Sequence, residues 1–302
     1  MTKKREEDIA RLKKMEDLLA CPLCAEPLHV LYENAWVLMC GHRHTFDIAR
    51  EGYVNLVTTH RRKASGYGQA ELVARRKILQ EDLFAPLVHH ISGKIREDAE
   101  ETPAKPLRVV DVGTGEGTVF SAILGELTPA FPEVEGCGTD ISVAGIRMAT
   151  KIKQDINIVW IVSNALRRLP FQDHSAQILL SILAPMSHEE AARIVAPAGC
   201  VVVVRSGEHH LRELREAIFE HDRKPRLEDP PVQDLASPLV LSSTHRIRHT
   251  TSIAPEATDD LIYMSPLFWK ASRPKLDLLR AQRLDSITVD FEINWFLLRK
   301  GD

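Results

Sequence analysis

Three cysteines and two histidines near the start of the chain have the types and spacing of metal ligands. Two residues separate Cys21 from Cys24, fifteen separate Cys24 from Cys40, and His42 and His44 follow. A C-x-x-C pair on a tight turn directs two thiolates at one point, and ligands from a second turn complete the tetrahedron that zinc prefers. The three cysteines and one of the histidines therefore predict a zinc site, structural in role because four protein ligands leave no open position.

The residues between these cysteines predict a zinc-ribbon-like hairpin. Residues 28–32 and 36–39 are short β-rich runs, and the sequence Glu-Asn-Ala at 33–35 is typical of a turn. A thioredoxin-like redox pair is the other interpretation of C-x-x-C, but it gives no use to Cys40 or its histidines. Five cysteines are an odd number for a disulfide framework, which favours a metal site in a reducing, cytoplasmic compartment.

A second set of residues has the pattern of a nucleoside-binding loop. The pattern D-x-G-x-G-x-G is formed by Asp111, Gly113, Thr114, Gly115 and Gly117. An apolar run at 107–112 precedes the glycines and a helix-like segment at 119–127 follows, and this context gives the motif meaning. A strand predicted at 134–139 ends in Asp140, at about the distance from the glycines where a carboxylate holds ribose hydroxyls. Asp140 could also cap the following helix.

The pattern of elements predicts an α/β fold with a doubly wound sheet. Further strands are expected at 157–162, 177–183 and 200–205, with helices between strands, and alternating strands and helices form parallel sheets. Two final antiparallel strands are expected at 239–248 and 286–298.

We divide the chain into four segments by sequence. They are an amphipathic helix at 1–18, a zinc-binding module at 19–58, a basic connector with helices at 59–106, and a cofactor domain at 107–302. The net charge of −3 gives no sign of nucleic-acid affinity for the whole molecule, and no apolar run approaches the ~20 residues of a membrane span. The connector, however, carries Arg61, Arg62, Lys63 and Tyr67. It is either a solvated linker or a loop that tracks a phosphate backbone and stacks on a base.

Residues 107–205 resemble class I S-adenosylmethionine (SAM)-dependent methyltransferases. The glycine motif, Asp140, the sequence NALRRLPF at 164–171 and the sequence APAG at 196–199 occur in that order. The resemblance implies a Rossmann-like, seven-stranded mixed sheet whose glycine loop holds the methionine part of SAM. Asp140 would bind the ribose hydroxyls, Ile141 would pack on the adenine, and Asn164 and Ala165 would border it. A dehydrogenase is the rival interpretation of the glycines, and the later landmarks disfavour it.

A narrower resemblance begins at the cysteines. The pattern C-P-L-C at 21–24, C-x3-H-x-F-D at 40–47 and EGYVNL at 51–56 is similar to the bacterial 23S rRNA (guanine-N1)-methyltransferases. That family includes relatives that confer macrolide resistance. The match continues through ARR at 74–76 and MSPLFWKA at 264–271. Because zinc ligands in the family follow a C-x2-C, C-x3-H pattern, the resemblance implies that His44, not His42, is the fourth ligand.

The family resemblance also implies a substrate. It implies methylation of N1 of a guanine in a hairpin loop of 23S rRNA, where a single-stranded loop exposes the Watson–Crick edge. The zinc module and connector would recognise the RNA, and related enzymes imply a homodimer. No residue is assigned as catalytic base. Two other functions stay open: a methyltransferase for a small molecule, such as a natural-product intermediate, and a non-catalytic protein that binds SAM or RNA.

Overall fold

The structure is a computed structural model that describes residues 3–58, 68–80, 83–101, 106–152, 156–219, 238–265 and 271–299. The helices in these ranges are α1 Lys3–Lys14, α2 Gln69–Gln80, α3 Ala85–Glu101, α4 Thr118–Leu127, α5 Val143–Ala149, α6 His188–Ile194, α7 Arg212–Ile218, α8 Ala257–Met264 and α9 Arg273–Gln282. The strands are β1 Leu28–Glu33, β2 Ala35–Cys40, β3 Thr45–Asp47, β4 Val54–Asn55, β5 Arg108–Val112, β6 Glu135–Asp140, β7 Asn157–Val162, β8 Ala176–Ile182, β9 Val195–Ser206, β10 Leu239–Ser252 and β11 Ser286–Leu298.

The first three strands form a small antiparallel sheet in the order β1-β2-β3. The register of β1 and β2 runs from Leu28 opposite Cys40 to Glu33 opposite Ala35, so the turn is centred on Asn34. Asn34 has a φ of 60°, a left-handed conformation that asparagine tolerates better than most residues. The hairpin therefore lies where its turn sequence predicted it.

The larger sheet has the order β10-β11-β9-β8-β5-β6-β7-β4. The pairs from β9 through β4 are parallel, while β11 is antiparallel to both β9 and β10. The predicted α/β fold and its final antiparallel strands are confirmed. The described sheet has one strand more than the seven predicted, because β4, near the end of the zinc module, pairs with the outer edge of β7.

The two faces of the larger sheet are covered by different parts of the chain. One face packs against α3, α4 and α7 to α9, with Phe120 and Phe291 fully buried. On the other face, Leu12 of α1 and Leu38 of β2 belong to the same apolar core as Ile161 of the sheet. The N-terminal helix and the zinc module thus share one continuous core with the sheet, and our sequence boundaries at 18 and 58 do not mark a gap in packing.

Hydrogen bonds connect the start of the zinc module to the loop that follows β7. The N–H of Ala20 donates to the carbonyl of Pro170, and the N–H of Gln172 donates to the carbonyl of Leu18, both at 2.9 Å. Arg108 at the start of β5 is within 2.7 Å of Asp17. None of the helices in the described ranges combines the length and apolar character that crossing a membrane requires.

Candidate functional site

The ligand atoms of Cys21, Cys24, Cys40 and His44 all lie within 4.8 Å of one another. His44 Nδ1 is 3.5 Å from Cys21 Sγ and 3.4 Å from Cys40 Sγ, and the sulfurs of Cys24 and Cys40 are 3.6 Å apart. Zinc bonds of about 2.0–2.3 Å at tetrahedral angles separate their ligand atoms by roughly 3.5–3.8 Å. The cluster therefore has the chemistry and the size of a tetrahedral zinc site, and its three cysteines are free thiols.

Two tight turns bring these four ligands together. The N–H of Ala25 donates to the carbonyl of Cys21, and the N–H of Arg43 donates to the carbonyl of Cys40, both at 2.8 Å. Ala25 and Arg43 each have a positive φ, of 65° and 63°. The second turn directs His44 back toward the cysteines, whereas His42 is exposed and lies outside the cluster.

The glycine loop after β5 needs glycine for both conformation and space. Gly113, Gly115 and Gly117 have φ values of 84°, 62° and 85°, a region that other residues adopt at a cost. A Cβ atom on Gly113 would lie only 2.2 Å from the Cβ of Ala184, at the end of β8. The N–H of Gly113 donates to the carbonyl of Thr139 at 2.8 Å, which holds the loop against β6.

Asp140 connects this loop to the end of β6. Its Oδ2 accepts the N–H of Gly115 at 2.9 Å, and its Oδ1 accepts the N–H of Ser142 at 2.7 Å. Ser142, not Asp140, is the N-cap of α5, because its Oγ accepts the N–H of Gly145 at 3.1 Å. The helix-cap interpretation of Asp140 is therefore wrong.

A cleft of about 1030 Å³ opens at the carboxyl ends of the parallel strands, where this class of sheet binds ligands. Six of the predicted cofactor residues line it: Gly113, Gly115, Asp140, Ile141, Asn164 and Ala165. Asp111, Thr114 and Gly117 are not among the lining residues. The sequence did not predict the rest of the wall, which includes Glu71, Leu72 and Arg75 of α2 and Leu183, Ala184 and Pro185 after β8.

One polar atom beside the loop, Arg75 Nε, is buried without a hydrogen-bond partner in the described part of the chain. Burial raises the pKa of Asp111 to about 7; a hydrogen bond with Thr114 opposes this shift, and repulsion from Asp140 adds to it. Unpaired buried polar atoms are costly and call for a bound partner. Arg75 lines the cleft, so its unpaired nitrogen could meet a hydrogen-bond acceptor of a bound ligand.

The structure does not test the predicted substrate-binding residues. Arg61, Arg62, Lys63 and Tyr67 lie outside the described residues, as does 266–270 of the C-terminal motif. Two histidines that follow the adenine-side segment in sequence do not line the cleft. His174 Nδ1 is 3.0 Å from the carbonyl of Val195, and the His188 ring lies against Phe296.

Comparison with known proteins agrees with this architecture. A family model described as the N-terminal zinc ribbon of RlmA matches residues 19–65. A 23S rRNA (guanine(748)-N(1))-methyltransferase of Streptomyces fradiae is 30% identical over 257 residues, which are 85% of this chain and 88% of the relative. Two further relatives are named as 23S rRNA (guanine-N(1)-)-methyltransferases. One, from Micromonospora griseorubida, is 30% identical over 90% of this chain and 93% of its own length. The other, YxjB of Bacillus subtilis, is 29% identical over 91% and 95%.

These relatives match both the zinc module and the cofactor sheet, over most of their length and of this chain. Together with the Cys3His cluster and the glycine-loop cleft, they make the protein a SAM-dependent methyltransferase with a structural zinc site. The chain belongs to the family of 23S rRNA (guanine-N1)-methyltransferases.

Proposed function

We propose that the protein transfers a methyl group from SAM to N1 of a guanine in a hairpin loop of 23S rRNA. The observation that carries this proposal is the pairing of β4 with β7. Val162, paired with Asn55, immediately precedes Ser163 and Asn164 in the wall of the cofactor cleft. The zinc module, which the RlmA family model matches, therefore lies next to the wall of the cleft, and this position supports a role in presenting the RNA.

Each predicted residue has a role in this proposal. Zinc is held by Cys21, Cys24, Cys40 and His44. Gly113 and Gly115 receive the methionine part of SAM on the cleft side, while Asp111, Thr114 and Gly117 support the loop from behind. Asp140 binds the ribose hydroxyls, and Ile141, Asn164 and Ala165 surround the adenine.

The reaction needs alignment more than activation. SAM supplies a methyl group that its sulfonium already activates, so guanine N1 attacks this carbon while the bonding pair of the S–C bond stays on sulfur. The proton on N1 leaves to a base or to water. The protein must extract the guanine from its stack and hold N1 in line with the S–C bond, and such positioning supplies much of the rate.

The basic connector is our candidate for RNA contact. Of its described flanks, Gly68 lines the cleft, and Leu56 donates its N–H to the carbonyl of Val162 at 2.9 Å, next to the lining residue Ser163. Arg61, Arg62 and Lys63 would neutralise phosphates, and Tyr67 would stack on a base. A homodimer and a cytoplasmic location remain predictions of the family resemblance and of the cysteine content.

The decisive experiment measures transfer of labelled methyl from SAM to unmodified 23S rRNA. Primer extension on the product should stop one nucleotide before a single guanine, because a methyl on N1 blocks Watson–Crick pairing. We expect Arg61→Ala/Arg62→Ala to weaken RNA binding and to leave SAM binding unchanged. SAM binding without label in the RNA, together with a double variant that behaves as wild type, would favour a small-molecule acceptor. Absence of SAM binding in calorimetry would contradict both proposed functions, the rRNA methyltransferase and the small-molecule methyltransferase.

A further inference from the structure

Arg75 of α2 forms no ion pair with any carboxylate in the described part of the chain. It lines the cofactor cleft and is half-buried, and its Nε is buried with no hydrogen-bond partner in the described part of the chain. Since a buried N–H without a partner is costly, and since the group that carries it is cationic, a negatively charged ligand in the cleft would complement this side chain.

Arg75 lies beside the glycine loop. A Cβ atom on Gly115 would be 3.8 Å from Arg75 Nε, so the guanidinium lies over the loop that faces the cleft. The positive charge of Arg75 also lowers the pKa of Asp111, partly opposing the effect of burial on that carboxyl. Arg75 is therefore at the end of the cleft formed by the glycine motif, away from the adenine wall at Asn164 and Ala165.

The neighbouring cations on α2 have partners. Arg76 Nε is 2.9 Å from Glu116 Oε2, and its Nη2 donates to the carbonyl of Glu116 at 2.8 Å. Lys77 on the surface is 3.2 Å from Asp260. Three consecutive cations thus have three different environments, and only that of Arg75 faces the cleft.

We propose that Arg75 binds the α-carboxylate of the methionine part of SAM and acts as a positioning residue for methyl transfer. The carboxylate is the only anionic group of SAM, and the planar guanidinium fork matches it in charge and geometry. The contact comes from α2, in the connector, and it fixes the amino-acid end of the methionine chain, whose other end is the sulfonium. The inference rests on SAM dependence and is independent of the identity of the methyl acceptor.

The test compares SAM with decarboxylated SAM, which keeps the adenosine, sulfonium and ammonium groups but lacks the carboxylate. Calorimetry on the full chain should show that the wild type binds SAM about 10- to 100-fold more tightly than decarboxylated SAM, the range for hydrogen bonds to a charged group. Arg75→Ala should lose this preference by weakening SAM alone, and Arg75→Lys should fall between. Lys77→Ala, on the same helix, should behave as wild type.

Three outcomes would overturn the proposal. The first is equal affinity of the wild type for SAM and decarboxylated SAM, a measurement that requires no variant protein. The second is an Arg75→Ala protein that loses affinity for both ligands by the same factor, which would indicate a role in holding the cleft together. The third is an Arg75→Ala protein that binds SAM normally but binds rRNA weakly, which would assign Arg75 to the acceptor. If Arg75→Ala does not fold, the preference for SAM over decarboxylated SAM can be compared between the wild type and Arg75→Lys, and this comparison tests the same proposal.

Discussion

The backbone N–H of Gly115 donates a 2.9 Å hydrogen bond to Asp140 Oδ2, so the carboxylate at the end of β6 holds the loop at the end of β5. The other oxygen accepts from Ser142 at 2.7 Å, where α5 begins. One side chain thus sets the relative position of two neighbouring strand ends and the helix after them. A ligand that binds Asp140 therefore meets a carboxylate already fixed in orientation by backbone donors.

Substitution of Asp140 should affect every ligand that contains the nucleoside. We expect Asp140→Ala to weaken SAM and 5′-methylthioadenosine by about the same factor, roughly 10- to 100-fold, because the charged acceptor for the ribose is lost. Asp140→Asn, which keeps one acceptor oxygen for a backbone N–H, should lose less. Calorimetry with both ligands measures this. A loss confined to SAM would contradict the ribose role and place Asp140 at the methionine end.

We expect Gly113→Ala to abolish SAM binding because its side chain collides with Ala184, and a second substitution can remove this collision. The new Cβ would lie 2.2 Å from that of Ala184, and the φ of 84° costs a further ~1–2 kcal/mol for a non-glycine residue. The double variant Gly113→Ala/Ala184→Gly removes the collision but not the backbone cost, so part of the binding should return. Gly41→Ala is the control, since nothing lies within 4 Å of its Cβ position. Equal binding by the single and double variants would show that collision is not the cause.

Loss of zinc should destabilise the enzyme as a whole. His44→Ala and Cys24→Ser each remove one of four clustered ligands, so we expect less than one zinc per chain by elemental analysis. The free energy of unfolding should fall by several kcal/mol, since structural zinc binds zinc-finger peptides with about 10–16 kcal/mol. His42→Ala should retain full zinc, because His42 is exposed and outside the cluster. Zinc retained by His44→Ala and lost by His42→Ala would reverse our assignment.

Asp111 should give the unliganded protein an unusual dependence on pH. Burial raises its pKa from the ordinary 3.8 to about 7, so between these values the folded state holds a proton that the unfolded state has released. The contribution of Asp111 to stability is therefore greatest at acidic pH and is lost as pH rises to about 7, by up to about 1.4 kcal/mol per pH unit. Urea unfolding of wild type and Asp111→Asn from pH 5 to 8 isolates this term. Parallel curves for the two proteins would exclude it.

Local patterns predicted the parts of the molecule that local chemistry determines. The turn at Asn34 and the loop at Gly113 could be predicted from the sequence because each needs a particular residue type at one position. The pairing of Val54 with Ile161 could not, since a strand of two residues has no periodicity and its partner lies far along the chain.

The cations of α2 also show what the sequence alone could not predict about the cleft. Arg75, Arg76 and Lys77 are consecutive and chemically similar, and nothing in the helix sequence distinguishes them. Their difference arises from what the folded chain places opposite each one: the glycine loop, Glu116 and Asp260. The sequence therefore predicted the glycine loop of the cleft and did not predict that α2 forms part of the cleft wall.

The shared core beneath the zinc module has a consequence for attempts to isolate a minimal catalytic domain. Removing residues before α2 would take away β4 and leave the backbone of β7 as an open edge. It would also expose the apolar side chains Val110, Val159 and Ile161, which now pack with the N-terminal segments. An open edge strand beside a bare apolar face is a template for intermolecular association. Such a fragment should aggregate. The N-terminal segments, which include the zinc module, therefore keep the larger sheet from associating with other molecules.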